Sequence, residues 1–221
     1  MPSTLSVYER SRRSRRLSLF NTYRSIIERA SEEAVQKGRR WYYEANRTAQ
    51  KLSEAFSLEL KQTVAIIAMM SPGTAWQMNL QAAVGVMSDD WKTARAWHTF
   101  GNDNLYTAWR IRLGRISPQK ALRGRKVTAF YHSILLEDGA ACDDAWMYSA
   151  NRLGYKSESP PKGHHIACKE ACRMLSSRLG WATYQVQAVI WTQLKQEALS
   201  SGESATPLPL NKLINSQFTY A

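Results

Sequence analysis

The chain has 221 residues, 44% hydrophobic and 22% charged, which supports one domain or two closely packed lobes and excludes disorder throughout. Thirty Lys and Arg against eighteen Asp and Glu give a net charge of +12, a field that attracts polyanions and makes nucleic acid the first partner to consider. The longest apolar run, Val64 to Met70, is far too short for a bilayer span, and the Arg-rich start has no apolar stretch ahead of a cleavage site, so the expectation is a cytoplasmic protein with no membrane partner.

Residues 1–16, with Arg10, Arg12, Arg13, Arg15 and Arg16 among serines, have no apolar period and read as a flexible basic arm. From Phe20 onward Tyr23, Ile27, Ala30 and Ala34 recur at helical spacing, and a second helix after Lys37-Gly38 turns Trp41, Ala45, Leu52 and Phe56 inward. Ser57 is placed to cap the next helix, which ends at Ser71-Pro72-Gly73, and Thr74 to cap the one through Met87. Ser88-Asp89 open a helix to Trp97, Asn102 to Leu113 forms another, and Ser117-Pro118 is a cap with proline at the first helical position. After Leu122-Arg123-Gly124 a helix runs from about Lys126 to Leu136, and Asp143-Asp144 precede one through Leu153. A loop over 156–163 leads to helices at about 164–178 and 182–199, and 201–221 reads as an irregular tail. No alternating strand pair or fixed-period repeat is found, so the fold class is all-α.

Two places carry polar residues that a fold alone does not demand. Around Arg123, Gly124, Arg125 and Lys126 a glycine turn opens a helix, and its unbonded backbone N–H groups and cations suit a phosphate. At Asp143-Asp144-Ala145-Trp146 a carboxylate begins the next helix, where an N-cap is the structural alternative. Cys142, Cys168 and Cys172 are too few for a disulfide framework, and His164-His165 point to different faces, so no metal site and no cofactor are expected.

Together these residues resemble the helix-hairpin-helix DNA glycosylase superfamily, in which a glycine hairpin, a lysine opening the next helix and an aspartate starting the one after recur in order. Gly124-Arg125-Lys126 matches the hairpin end, and Asp144 follows Lys126 at the family's eighteen-residue separation. Asp143 is the rival by one register, because Asn151-Arg152-Leu153-Gly154 fits the family's Asn-Arg-Leu-Gly from there. Val64 to Ser71 with Thr74 and Asn79 is similar to the family's apolar helix and following turn, although Pro72-Gly73 replaces the DNA-probing glutamine and the four C-terminal cluster cysteines are missing. A closer resemblance is to the phage-associated alpha-glutamyl/putrescinyl-thymine pyrophosphorylase-like branch of bacteriophage DNA modification. It rests on Trp41-Tyr42 with Ala45, Ser71-Pro72-Gly73-Thr74-Ala75-Trp76 with Asn79, Gly124 with Lys126 and Phe130, Asp144 with Trp146, and Gln187-Ala188 with Trp191.

The resemblance implies a two-lobed glycosylase-like domain over residues 17–200, with 58–154 as one lobe and 17–57 plus 163–200 as the other. It implies DNA and a flipped, modified nucleobase as partners, and in the synthetic branch a small amine or amino acid. A flipped base is held by aromatic faces and a few amides, for which Trp41, Tyr42, Trp76, Trp146 and Trp191 supply faces and Asn79 and Gln187 the amides. Ordinary core packing is the alternative for each aromatic. Ser71 and Thr74 join Arg123, Gly124 and Arg125 as DNA-contacting candidates. Asp144 is expected to stabilise a cationic sugar or move a proton, and Lys126 to be either a nucleophile or a phosphate clamp. The competing class is a non-catalytic DNA-binding protein that keeps the fold.

Overall fold

A computed structural model of the chain describes residues 7–97, 102–150 and 163–200. Helices account for the regular structure, with no strand among the described residues, so the all-α expectation holds. The tail at 201–221, residues 151–154 of the rival register and most of the expected loop lie outside the described residues. No described helix is long and apolar enough to cross a membrane.

The chain divides into two compact units. One takes the described residues up to Tyr43 and from Leu136 onward; the other is Glu44–Leu135. The division cuts the expected 58–154 lobe after Leu135, so Asp143 and Asp144 belong with the terminal helices and Lys126 with the central ones.

In the first unit α1 (Val7–Glu28) packs on α10 (His164–Leu179). Leu19, Phe20, Tyr23 and Ile26 recur at helical spacing and meet Ala167, Cys168, Ala171, Cys172 and Leu175, the small residues letting the helices approach. Burial of each large side chain is worth roughly 1.5 to 3 kcal/mol. The inward residue of α1 is Ile26, while the expected Ile27 is only partly buried. Residues 7–16, expected as an arm, form the first turns of α1, and Arg16 pairs with Glu170 at 3.7 Å.

Val186 and Ile190 of α11 (Thr183–Ser200) and Met147 of α9 (Ala145–Ser149) complete this core. The start of α2 (Glu32–Ala55) lies backbone to backbone on α11 at Gly38, where a Cβ would stand 2.5 Å from Val189 Cα. Asp138 tethers the loop after Leu136 to α11, its Oδ1 accepting from Gly139 N and Thr183 N, each at 2.7 Å. Burial alone favours protonation of this carboxyl, yet those bonds and Arg173 prevail and its pKa lies below the usual value.

The second unit is organised around α3 (Leu60–Met70), in which every residue from Thr63 to Met70 is buried. Against α3 pack α4 (Trp76–Met87), α6 (Asn102–Arg112) and α8 (Arg125–Ile134), with the short α7 (Pro118–Ala121) beside α3 and α6. The helix α5 (Trp91–Trp97) lies on α4 at Gly85, where a Cβ would come within 2.4 Å of Ala94 N. Side chains close other backbone groups: Asn46 Nδ2 donates to Ile134 O at 2.8 Å, Gln62 Nε2 to Ile111 O at 3.1 Å and Arg112 Nε to Met87 O at 2.9 Å.

Three expected caps differ. Ser57 has φ +51 and sits in the turn before α3, whose cap is Glu59 with Gln62 Oε1 accepting from Glu59 N. Thr74 Oγ1 donates back to Met70 O at 2.7 Å, leaving Ala75 as the residue that opens α4. Asp90, rather than Ser88 or Asp89, accepts from Thr93 N at 3.0 Å ahead of α5, while Ser88 Oγ donates to Val84 O. Ser, Thr and Asp bond forwards or backwards equally well, so sequence alone does not choose between start and stop.

Candidate active site

In the first unit the two adjacent aspartates diverge. Asp144 is extended at φ −96 and ψ −174, and its Oδ1 accepts from Trp146 N and Met147 N, both at 3.0 Å. Its carboxylate therefore caps α9 at a half-buried position. Asp143 turns into the core, where its Oδ2 lies 2.8 Å from His164 Nδ1, with side-chain exposures of only 5% and 2%. Asp143 Oδ1 and His164 Nε2 are buried without a hydrogen-bond partner.

Below them Tyr23 Oη donates to Met147 O at 3.2 Å and to Cys168 Sγ at 3.4 Å. Burial pushes the Tyr23 hydroxyl up, and the Cys172 hydrogen bond together with burial pushes up the Cys168 thiol. Both groups therefore stay protonated at neutral pH.

The aromatic candidates of this unit do meet. Trp41 stands edge-on to Trp191 at 4.7 Å, and Lys195 Nζ lies 3.9 Å from the Trp191 ring centroid and 6.0 Å from that of Trp146. Asp144 is near enough to favour the charged form of Lys195, but burial is the larger influence and Lys37 adds repulsion, so the amine is easier to deprotonate than usual. Tyr42 and Gln187 bond each other instead, Tyr42 Oη donating to Gln187 Oε1 at 2.7 Å in the core. That bond supplies a structural reason for Gln187 on an apolar helix. Sequence reading passed over Lys195, whose only signal was Trp191 four positions before it on α11.

The second unit holds the remaining candidates. Arg123, Gly124 and Arg125 are exposed and Lys126 half-buried at the start of α8, where Gly124 is the N-cap with no side-chain bond. Gly124 has φ −80, and a Cβ there would meet only the Val127 side chain at 3.7 Å, so the fold does not require glycine. The hydroxyls of Ser71 and Thr74 donate to Ala68 O and Met70 O, finishing α3. Trp76 meets Phe130 edge-on at 6.3 Å, and Asn79 is buried with its Oδ1 lacking a partner. Among the described residues no group of three or more His, Cys, Asp or Glu side chains is arranged for a metal ion.

The model of a family of unknown function, DUF7178, matches residues 7–198. No curated protein and no solved structure matches the chain.

Proposed function

We propose that this chain, which belongs to the DUF7178 family, is a DNA base-processing enzyme with a helix-hairpin-helix glycosylase-like fold that acts on a flipped, modified base. The observation that carries the reading is the cluster of Asp144, Lys195, Trp146, Trp191 and Trp41. A carboxylate fixed by two backbone N–H groups lies within electrostatic reach of a part-buried amine between indole rings. Indole faces hold a nucleobase by stacking, and a fixed carboxylate stabilises the positive charge that develops on a sugar as its bond to the base lengthens.

Asp144 is the catalytic carboxylate in this reading and Asp143 its packed neighbour, because Asp143 is directed to His164 in the core. In base excision Asp144 faces the cationic sugar; in thymine modification it takes a proton from an incoming small amine or amino acid. Arg123, Arg125 and Lys126 hold backbone phosphate at the start of α8, where the N–H groups of the first turn add to the cations. The competing reading, a DNA-binding protein without catalysis, draws on the fact that Asp144 makes a complete N-cap.

Purified protein incubated with modified phage DNA and with plain DNA, followed by mass spectrometry of released bases and digested nucleosides, separates these readings. Free base identifies excision, and a changed nucleoside identifies modification. DNA that is bound but chemically unchanged identifies the binding protein.

A further inference from the structure

Along the first half of α2, Val35, Gln36, Arg39, Arg40 and Tyr43 share one helical face, and with Gln185 of α11 they line an open groove of about 370 Å³. Val35 and Gln185 are half-buried, while Gln36, Arg39, Arg40 and Tyr43 reach solvent. Among the described residues no carboxylate lines the groove, and the Glu32 carboxylate one turn back is taken up by Gln36 Nε2 at 3.1 Å. Gln185 fixes the wall, its Nε2 donating to Arg39 O at 3.2 Å and its Oε1 accepting from Ala182 N at 3.0 Å.

The cations are positioned without being neutralised. The Arg39 guanidinium lies 5.0 Å from the Trp181 ring centroid, and an indole steadies a guanidinium while leaving its N–H edge to an oxyanion. Among the described residues neither Arg39 nor Arg40 forms an ion pair with a carboxylate. Tyr184 Oη donates to Tyr43 Oη at 3.2 Å, and burial together with that bond keeps Tyr184 protonated, so the Tyr43 proton is left for a ligand. Such a donor set selects an anion. Successive helical residues diverge, so Arg39 and Arg40 serve two oxyanions spaced along a chain rather than gripping one phosphate together. An open groove with an exposed rim likewise takes a passing strand, whereas a small molecule is normally enclosed.

From this geometry we infer that the groove between α2 and α11 is a DNA-backbone contact, in which Arg39 and Arg40 each bond one phosphodiester and Tyr43 donates its hydroxyl beside them. The inference rests on DNA as the partner in the proposed function, is additional to the start of α8, and needs no catalysis.

Phenylglyoxal, which modifies accessible guanidinium groups, is applied to the full chain alone and with a plain DNA duplex, thymidine monophosphate or inorganic phosphate at equal total phosphate. Peptide mass spectrometry locates the labels. Arg39 and Arg40 are expected to be labelled in the free chain and protected by the duplex alone. The double variant Arg39→Gln with Arg40→Gln should reduce the slope of log K against log salt for the duplex by about 2, close to 0.9 for each phosphate released. Its urea unfolding midpoint should stay put, since both side chains are exposed. Protection confined to Arg123 and Arg125, an unchanged slope, or protection by thymidine monophosphate without the duplex overturns the inference. Base release and nucleoside change on modified DNA are assayed in parallel. Base processing with Arg39 and Arg40 still labelled on bound DNA leaves the proposed function standing and overturns this inference. Protection and a reduced slope with no base released or altered do the reverse.

Discussion

The Asp143 carboxylate and the His164 imidazole meet at 2.8 Å, both side chains almost wholly buried, and this pair ties the turn before α9 to the first residue of α10. Asp144 follows directly and uses Oδ1 to cap α9. Neighbouring aspartates thus differ in kind: one is locked to a core partner, and the other is held by backbone at a half-buried position.

Removing one member of a buried polar pair leaves the other without compensation. Asp143→Ala is expected to destabilise the fold by about 1 to 3 kcal/mol, the scale for leaving a buried polar group without its hydrogen-bond partner. Asp144→Asn keeps an acceptor for Trp146 N and Met147 N and should cost about 1 kcal/mol or less. Urea unfolding of the two variants checks the contrast, and equal losses would show that Asp143 is not the anchor.

Glu197 supplies a pH-dependent contact. The Arg29 guanidinium bonds both its oxygens, at 2.9 and 3.1 Å, and holds its carboxyl below the usual range, with burial opposing. A depressed folded-state pKa means that the contribution is present above the unfolded pKa and disappears as pH falls through the folded value. Glu197→Gln should lower stability at neutral pH by about 1 kcal/mol or less, as for exposed pairs, and the difference should vanish in acid. Melting temperatures of both proteins from neutral pH to about pH 3 test this, and a constant gap would assign the loss to packing.

Glycines separate packing from ligand approach. Gly38→Ala and Gly85→Ala place a Cβ 2.5 Å from Val189 Cα and 2.4 Å from Ala94 N, so both should destabilise despite alanine's better helix propensity. About 1 to 3 kcal/mol is expected from overpacking. Gly124→Ala meets only an ordinary contact and should leave stability nearly unchanged. If the backbone at Gly124 approaches phosphate, this variant weakens DNA binding in a fluorescence-anisotropy titration while its unfolding midpoint stays put.

The net charge of +12 and the exposed Arg123 and Arg125 set the expected salt response. DNA affinity should fall steeply as salt rises, and Arg123→Gln with Arg125→Gln should reduce the slope of log K against log salt by about 2, close to 0.9 for each phosphate no longer neutralised. An unchanged slope would remove these arginines from the DNA interface.

Long periodic stretches were legible in the sequence because burial dictates their pattern. The ends of α6, α10 and α11 fall within a residue or two of the sequence expectation; of the expected inward residues Tyr23, Ala34, Ala45 and Leu52 are buried, whereas Ile27, Ala30, Trp41 and Phe56 are only half-buried. Short polar residues were less legible, since Ser57, Thr74 and Asp89 carry cap-forming side chains in positions where the turn geometry gave the cap to a neighbour. The basic stretch before Leu17 hid the start of α1, whose serines and arginines carry no apolar period of their own. Tertiary pairs were invisible for a different reason: His164 lies 21 positions from Asp143 and Gln187 lies 145 from Tyr42, and no local pattern couples such residues. Lys195 escaped for the same reason, being one more cation on a helix until Trp146 and Asp144 are brought to it.

Asp144 gives the decisive test of catalysis. In Asp144→Asn the amide oxygen still caps α9, so shape is kept while the negative charge is lost. Without that charge the sugar cation is no longer stabilised. Activity on modified DNA should fall by roughly a hundredfold or more, the scale of a positioned acid or base. DNA binding should be kept or slightly strengthened, because one carboxylate fewer repels phosphate. Initial rates of base release or nucleoside change, measured beside binding titrations and unfolding curves, separate lost chemistry from lost structure. If Asp144→Asn retains full activity while a folded Asp143→Asn is inactive, catalysis belongs to the buried aspartate and its His164 partner. Full activity in both variants reduces the two carboxylates to a cap and an anchor and removes them from the reaction.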